Sequence, residues 1–165
     1  MSYESLVSEG VTSDLEEVYR RAEALIDGSK DDHPISLLAN LSALLYHSME
    51  DLLWVGFYAV KDEELVLYPF QGPVACTSIR KGRGVCGTAW AEERSVVVPD
   101  VEAFPGHIAC SSLARSELVV PVFDQKGGVA LILDLDSASL NRFGREEQLC
   151  IEQIARLLSA NLVGW

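Results

Sequence analysis

The spacing of apolar residues changes twice along the chain, and this constrains the fold more than any other feature. Up to residue 48 apolar residues recur at helical intervals; from Leu52 to Asp136 they alternate or form short runs; after Arg145 the helical interval returns. In the first stretch, Ser13 and Glu16 read as a capping box. Leu15, Val18, Ala22, Leu25 and Ile26 then form a stripe that stops at Gly28. A second helix is predicted from near Pro34, with Leu37, Leu38, Leu41, Leu44 and Leu45 on one face. The last runs from about Arg145 to Leu162, lined by Leu149, Cys150, Ile154, Leu157 and Leu158. Between them, LLWVGFYAV and ELVLYPF read as strands joined by the charged turn Lys61–Glu64. KGRGVCGTAWAEE reads as a short helix opened by glycines and SVVVP as a brief strand; ELVVPVF and GGVALILDLD read as a hairpin across Asp124–Gly128. Helices at both ends of mostly antiparallel strands predict an α+β domain.

The 165 residues suit a single domain over 1–165, with 1–30 as an N-terminal extension carrying the first helix. A net charge of −12 and no basic stripe argue against nucleic acid. No run approaches the ~20 apolar residues that span a bilayer. The acidic start MSYESLVSEGVTSDLEE lacks the features of a secretory signal. A cytoplasmic location is therefore expected, where thiols stay reduced. The four cysteines then read as buried, metal-binding or catalytic rather than as a disulfide framework.

On the first strand Leu52, Trp54, Gly56, Tyr58 and Val60 share a face, and Leu53, Val55, Phe57 and Ala59 share the core face. Gly56 between two aromatics either leaves room for a ligand against Trp54 and Tyr58 or marks a bulge. Asp134 and Asp136 continue the face of Ala130 and Ile132, and Glu117 opens another apolar strand. Such carboxyls lie at solvated strand ends or line a cleft, where burial and crowding would favour a protonated acid. Gly82, Gly84 and Gly87 spell a dinucleotide fingerprint without the βαβ unit that gives it meaning, so no such cofactor is expected. Glycines that open a helix do offer backbone N–H groups to an anion, and Cys86 in that first turn would be favoured as thiolate. The cysteines contain no C-x-x-C. Zinc held by Cys76, Cys86, His107 and Cys110 is an alternative, weakened by spacings unlike those of structural sites; no metal is expected. Cys150 falls on a core stripe and reads as inert. The other three cysteines lie in loops or at a helix start, within reach of solvent.

The segments WVGFY (Trp54–Tyr58), PFQGPVAC (Pro69–Cys76), GRGVCGTA (Gly82–Ala89), DVEAFPGHIAC (Asp100–Cys110), SELVVPV (Ser116–Val122) and LDLDS (Leu133–Ser137) resemble the free methionine-R-sulfoxide reductases, single GAF-domain enzymes. The resemblance runs from about Leu37 to the C-terminus and includes the contexts of three cysteines. It implies reduction of free methionine-R-sulfoxide by Cys110, resolution by Cys76 and recycling by a thioredoxin-type reductant, with no cofactor. Cys86 is an alternative resolving thiol or a positioning group. Glu117 and Asp136 would polarise the S=O group, while Asp134 would hold the substrate ammonium. Trp54 and Tyr58 would pack on the methyl and thioether, and the Gly84–Gly87 backbone would seat the carboxylate. Homodimers are common among such domains. The competing reading is a GAF module that binds a metabolite or senses oxidation without catalysis. The absence of an output domain before Trp165 disfavours it.

Overall fold

Asp14, rather than Ser13, starts the helix expected before Gly28, α1 (Leu15–Gly28). Its carboxylate accepts hydrogen bonds from the Glu16 and Glu17 amides, so an aspartate cap takes the place of the expected capping box. The computed structural model describes Leu6 and residues 9–162. Helix α2 (Pro34–Ser48) has proline in its first turn, where the missing N–H has no helical partner to lose, and His33 Nδ1 accepts from the Ile35 amide. In the last long helix, α4 (Arg145–Asn161), Leu149 is 42% exposed and not part of the expected stripe. The buried face is Cys150, Ile151, Ile154, Ala155 and Leu158.

The alternating stretch forms β1 (Trp54–Lys61), β2 (Glu64–Gln71), β3 (Ser78–Arg80), β4 (Val96–Val98), β5 (Ser116–Phe123) and β6 (Val129–Ser137). They pair antiparallel throughout as one sheet, in the order β3-β2-β1-β6-β5-β4. Strand β1 begins later than its apolar run suggests, so Leu52 and Leu53 precede the alternation. β4 pairs only with Glu117–Val119, so Pro121 lies beyond that neighbour, on a stretch of β5 paired with β6 alone. Asp124 Oδ1 accepts from the Lys126 and Gly128 amides and closes the β5–β6 turn, where Gly127 takes φ +85°.

The pleat divides the apolar residues between two cores. Val55, Phe57, Ala59, Leu118, Val120, Leu133 and Leu135 pack against α1, α2 and α4 on one face. On the other, Trp54, Tyr58, Val119 and Ile132 meet helix α3 (Gly84–Glu92), with Val85, Ala89 and Trp90. At about 25 cal/mol per Å² of apolar surface buried, the three-helix side supplies most of the cohesion. The α3 side is thinner and is completed by two loops, 72–77 and 99–115. That is where polar side chains enter the interior.

Candidate active site

Strand register builds the site. On the α3 face, Asp136 stands opposite Trp54 on β1 and Glu117 on β5, and Asp134 stands opposite Gly56 and Val119. Directly paired residues project to the same side of a sheet, so this register gathers Glu117, Asp134 and Asp136 from two strands. They line a pocket with a cavity volume of about 40 Å³, which Trp54, Tyr58, Gly84, Cys86 and Cys110 also line.

Gly56 does not leave the space beside Trp54 empty. A Cβ there would lie 2.2 Å from Phe70 Cβ, and the Phe70 ring stacks on Trp54 at 5.2 Å between centroids. The glycine lets β2 approach closely, at a register shift of the β1–β2 ladder, so the bulge alternative holds and the ligand gap does not. Trp54 and Tyr58, stacked at 6.0 Å, both line the pocket. Trp54 Nε1 donates to the Pro73 carbonyl, and the Tyr58 hydroxyl donates to the Cys76 carbonyl at 3.0 Å. Both aromatics thereby hold the loop that carries Cys76.

Cys76 and Cys110 form a disulfide with Cα atoms 5.3 Å apart, joining loops separated by 34 residues. The bridged pair is the one that the resemblance implies for attack and resolution, and the bridge leaves the zinc set of Cys76, Cys86, His107 and Cys110 unassembled. Cys86 and Cys150 are the free cysteines among the described residues, and both are buried. Cys150 Sγ donates to the Leu15 carbonyl, and burial, with Glu147 nearby, pushes its pKa to about 11. It is a core thiol.

Cys86 is not poised as thiolate. Burial pushes its pKa well up, and the charges of Asp134, Glu117 and Asp136 push it further; the helix start does not compensate. Its Sγ lies 3.9 Å from Glu117 Oε1, as an S–H donor would. Burial also raises the Glu117 pKa well above the carboxylate range, with Asp134 and Asp136 adding repulsion. Asp136 is raised by burial and then by Asp134. Asp134 rises to about 6 through burial, opposed by hydrogen bonds from Glu117, Cys86 and Asp136. Three carboxyls this close cannot all ionise, so the cluster holds protons at neutral pH and Asp134 is the member best supported as the anion.

The glycine motif divides. Gly84, at φ +63°, lines the pocket, where the first turn of α3 leaves N–H groups without helical partners. Gly87 is not among the lining residues. Its N–H donates to the Arg83 carbonyl, and a Cβ there would meet the Arg80 carbonyl oxygen at 2.5 Å, so it serves close packing. Phe70 escaped sequence reasoning, and His107, named there only as an alternative zinc ligand, lines the pocket with Cys86 and Cys110. His107 Nε2 lies 3.8 Å from Glu117 Oε2, and burial lowers its pKa. Among the described residues no helix is long and apolar enough to cross a membrane.

The family model for the GAF domain matches residues 36–163. "GAF domain-containing protein A" of Dictyostelium discoideum is 51% identical over 144 residues, covering 87% of this chain and 89% of the relative. The free methionine-R-sulfoxide reductase of Escherichia coli is 44% identical over 124 residues, covering 75% and 74%. The solved free methionine-R-sulfoxide reductase of Neisseria meningitidis, in complex with its substrate, superposes with a TM-score of 0.83 at 44% identity, covering 93% of each chain. The chain belongs to the GAF-domain family, among the free methionine-R-sulfoxide reductases and their relatives.

Proposed function

We propose that this chain reduces free methionine-R-sulfoxide to methionine, with Cys110 as nucleophile and Cys76 as resolving thiol. The observation that carries the reading is the Cys76–Cys110 disulfide beside a pocket floored by buried carboxyls, in a chain so similar to named reductases. Cys110 attacks the sulfoxide sulfur. The oxygen and one proton end on Cys110 as sulfenic acid, and methionine leaves with its sulfur reduced. Glu117, held protonated by burial, supplies a proton to the departing oxygen, and Asp136 helps orient it. Asp134 accepts the substrate ammonium, Trp54 and Tyr58 pack on the thioether, and the Gly84 end of α3 faces the carboxylate. Gly87 keeps that helix close to β3.

The Cys76 thiol then attacks the sulfenic sulfur; hydroxide leaves and takes the Cys76 proton as water, and the disulfide forms. Tyr58 holds the Cys76 backbone for this step, and Cys86 acts as a hydrogen-bond donor to Glu117 rather than as the resolving thiol. A thioredoxin-type dithiol reopens the bridge. Val74 and Leu113, 88% and 60% exposed on the two bridged loops, offer it apolar footing. Such recycling suits the cytoplasm, and residues 1–165 act as one catalytic domain.

Reduced protein incubated with free methionine-R-sulfoxide and no reductant should yield one methionine per chain and lose two thiols, mapped to Cys76 and Cys110. Cys110→Ser should yield none, and the S epimer should not react. Folded protein that forms no methionine would replace this reading with a ligand-binding GAF module.

A further inference from the structure

Cys86, Glu117 and Asp134 each bring a donor atom within 4.8 Å of the others, and all three residues are buried. The sulfur of Cys86 is 3.9 Å from Glu117 Oε1. On tetrahedral zinc, with sulfur at about 2.3 Å and oxygen at about 2.0–2.2 Å, neighbouring donor atoms sit roughly 3.3–3.8 Å apart. Rotamer adjustments on the order of 1 Å would bring the three onto one ion.

A second observation points to a ligand at the same place. Asp134 Oδ1 is buried without a hydrogen-bond partner, on a side chain that lines the pocket and is 6% exposed. The Asp134 carboxyl takes hydrogen bonds from Glu117, Cys86 and Asp136, yet its Oδ1 is left open to a further partner, and a buried carboxylate oxygen left unpaired costs about 1–3 kcal/mol. Among the described residues the ion-pair contact the cluster receives comes from His107 Nε2, 3.8 Å from Glu117 Oε2. Because Cys76 and Cys110 are bridged, Cys86 is the free thiol in the pocket.

We propose that in the disulfide form Cys86, Glu117 and Asp134 bind one thiophilic divalent cation, Zn²⁺ being the type, at a site that blocks the pocket. One thiolate and two carboxylates suit a borderline-soft ion and exclude magnesium and calcium, which take oxygen alone. His107 or a water completes four-coordination, and the cavity of about 40 Å³ accommodates an ion with water. Binding displaces the protons that the crowded acids and Cys86 hold, so it releases protons and tightens as pH rises. Binding at this site does not depend on the proposed reaction.

The test is titration of metal-free disulfide protein with Zn²⁺ against a chromogenic chelator at pH 6 and pH 8. Expected are one ion per chain, tighter at pH 8, with one sulfur neighbour in X-ray absorption. Cys86→Ser and Asp134→Asn should each weaken binding by about tenfold or more, while Cys150→Ser leaves it unchanged. No binding to folded protein, or binding indifferent to Cys86→Ser and Asp134→Asn, overturns the site. Methionine formation by reduced protein in metal-free buffer reads the proposed reaction separately, so either can fail without the other.

Discussion

Replacing Asp134 by asparagine should stabilise the protein at pH 8 and leave it little changed at pH 4. The carboxyl lies 6% exposed, and burial raises its pKa from 3.8 to about 6. The native state therefore holds this proton more tightly than the unfolded chain does. The resulting stability is complete below the unfolded value and is lost as pH rises through about 6. At about 1.4 kcal/mol for each tenfold change in proton affinity, the loss reaches about 3 kcal/mol by pH 8. Asparagine keeps a carbonyl oxygen to accept from its neighbours but gives up charge-assisted bonds, which returns about 1–2 kcal/mol. The net gain at pH 8 is about 1–2 kcal/mol, or about 2–8 °C in Tm for a domain of this size. Urea denaturation of the metal-free disulfide form, wild type against variant at both pH values, measures it. A variant less stable by the same amount at pH 4 and pH 8 refutes the reasoning, because the charge would then be net favourable in the fold.

Glu117→Gln should slow the single-turnover step by about 100-fold or more and remove its decline toward alkaline pH, because the amide cannot donate the proton that burial keeps on Glu117; stopped-flow rates from pH 6 to 9 test this, and an unchanged profile assigns the acid elsewhere. Gly56→Ala puts a Cβ 2.2 Å from Phe70 Cβ and should cost about 1–3 kcal/mol in urea denaturation, with a changed near-ultraviolet signal from the Trp54–Phe70 stack. Tyr58→Phe removes the hydroxyl bond to the Cys76 carbonyl and should cost about 1 kcal/mol. It should also slow disulfide closure more than methionine formation, so equal slowing of both steps would argue against a role in holding the Cys76 loop.

Local signals carried much of the fold. Helical spacing located α1, α2 and α4 because one stripe of each faces the same core. Proline at the start of α2 and the Ser13–Glu16 pair beside the true cap Asp14 marked where helices begin, to within a residue. Alternation separated Val55, Phe57 and Ala59 from Trp54 and Tyr58, since successive strand residues face opposite sides. Leu149 misled because hydrophobicity alone does not tell a core position from a neighbouring exposed one.

For the site, sequence named Glu117, Asp134, Asp136 and three cysteines from their contexts, but left open whether the carboxyls were solvated or crowded. That was decided by the pairing of β6 with both β1 and β5, a choice among residues far apart in the chain. The packing of α3 on that sheet face put Cys86 beside these buried acids and so made it a high-pKa thiol, although its place in the first turn of a helix argued for thiolate. Whether Gly56 frames a cavity or a close contact depended on Phe70, on the neighbouring strand. Sequence determines which way each side chain points, because helix and strand periods are local. Only tertiary structure decides what it meets there, because register, burial and electrostatic crowding arise between segments that the linear order does not bring together.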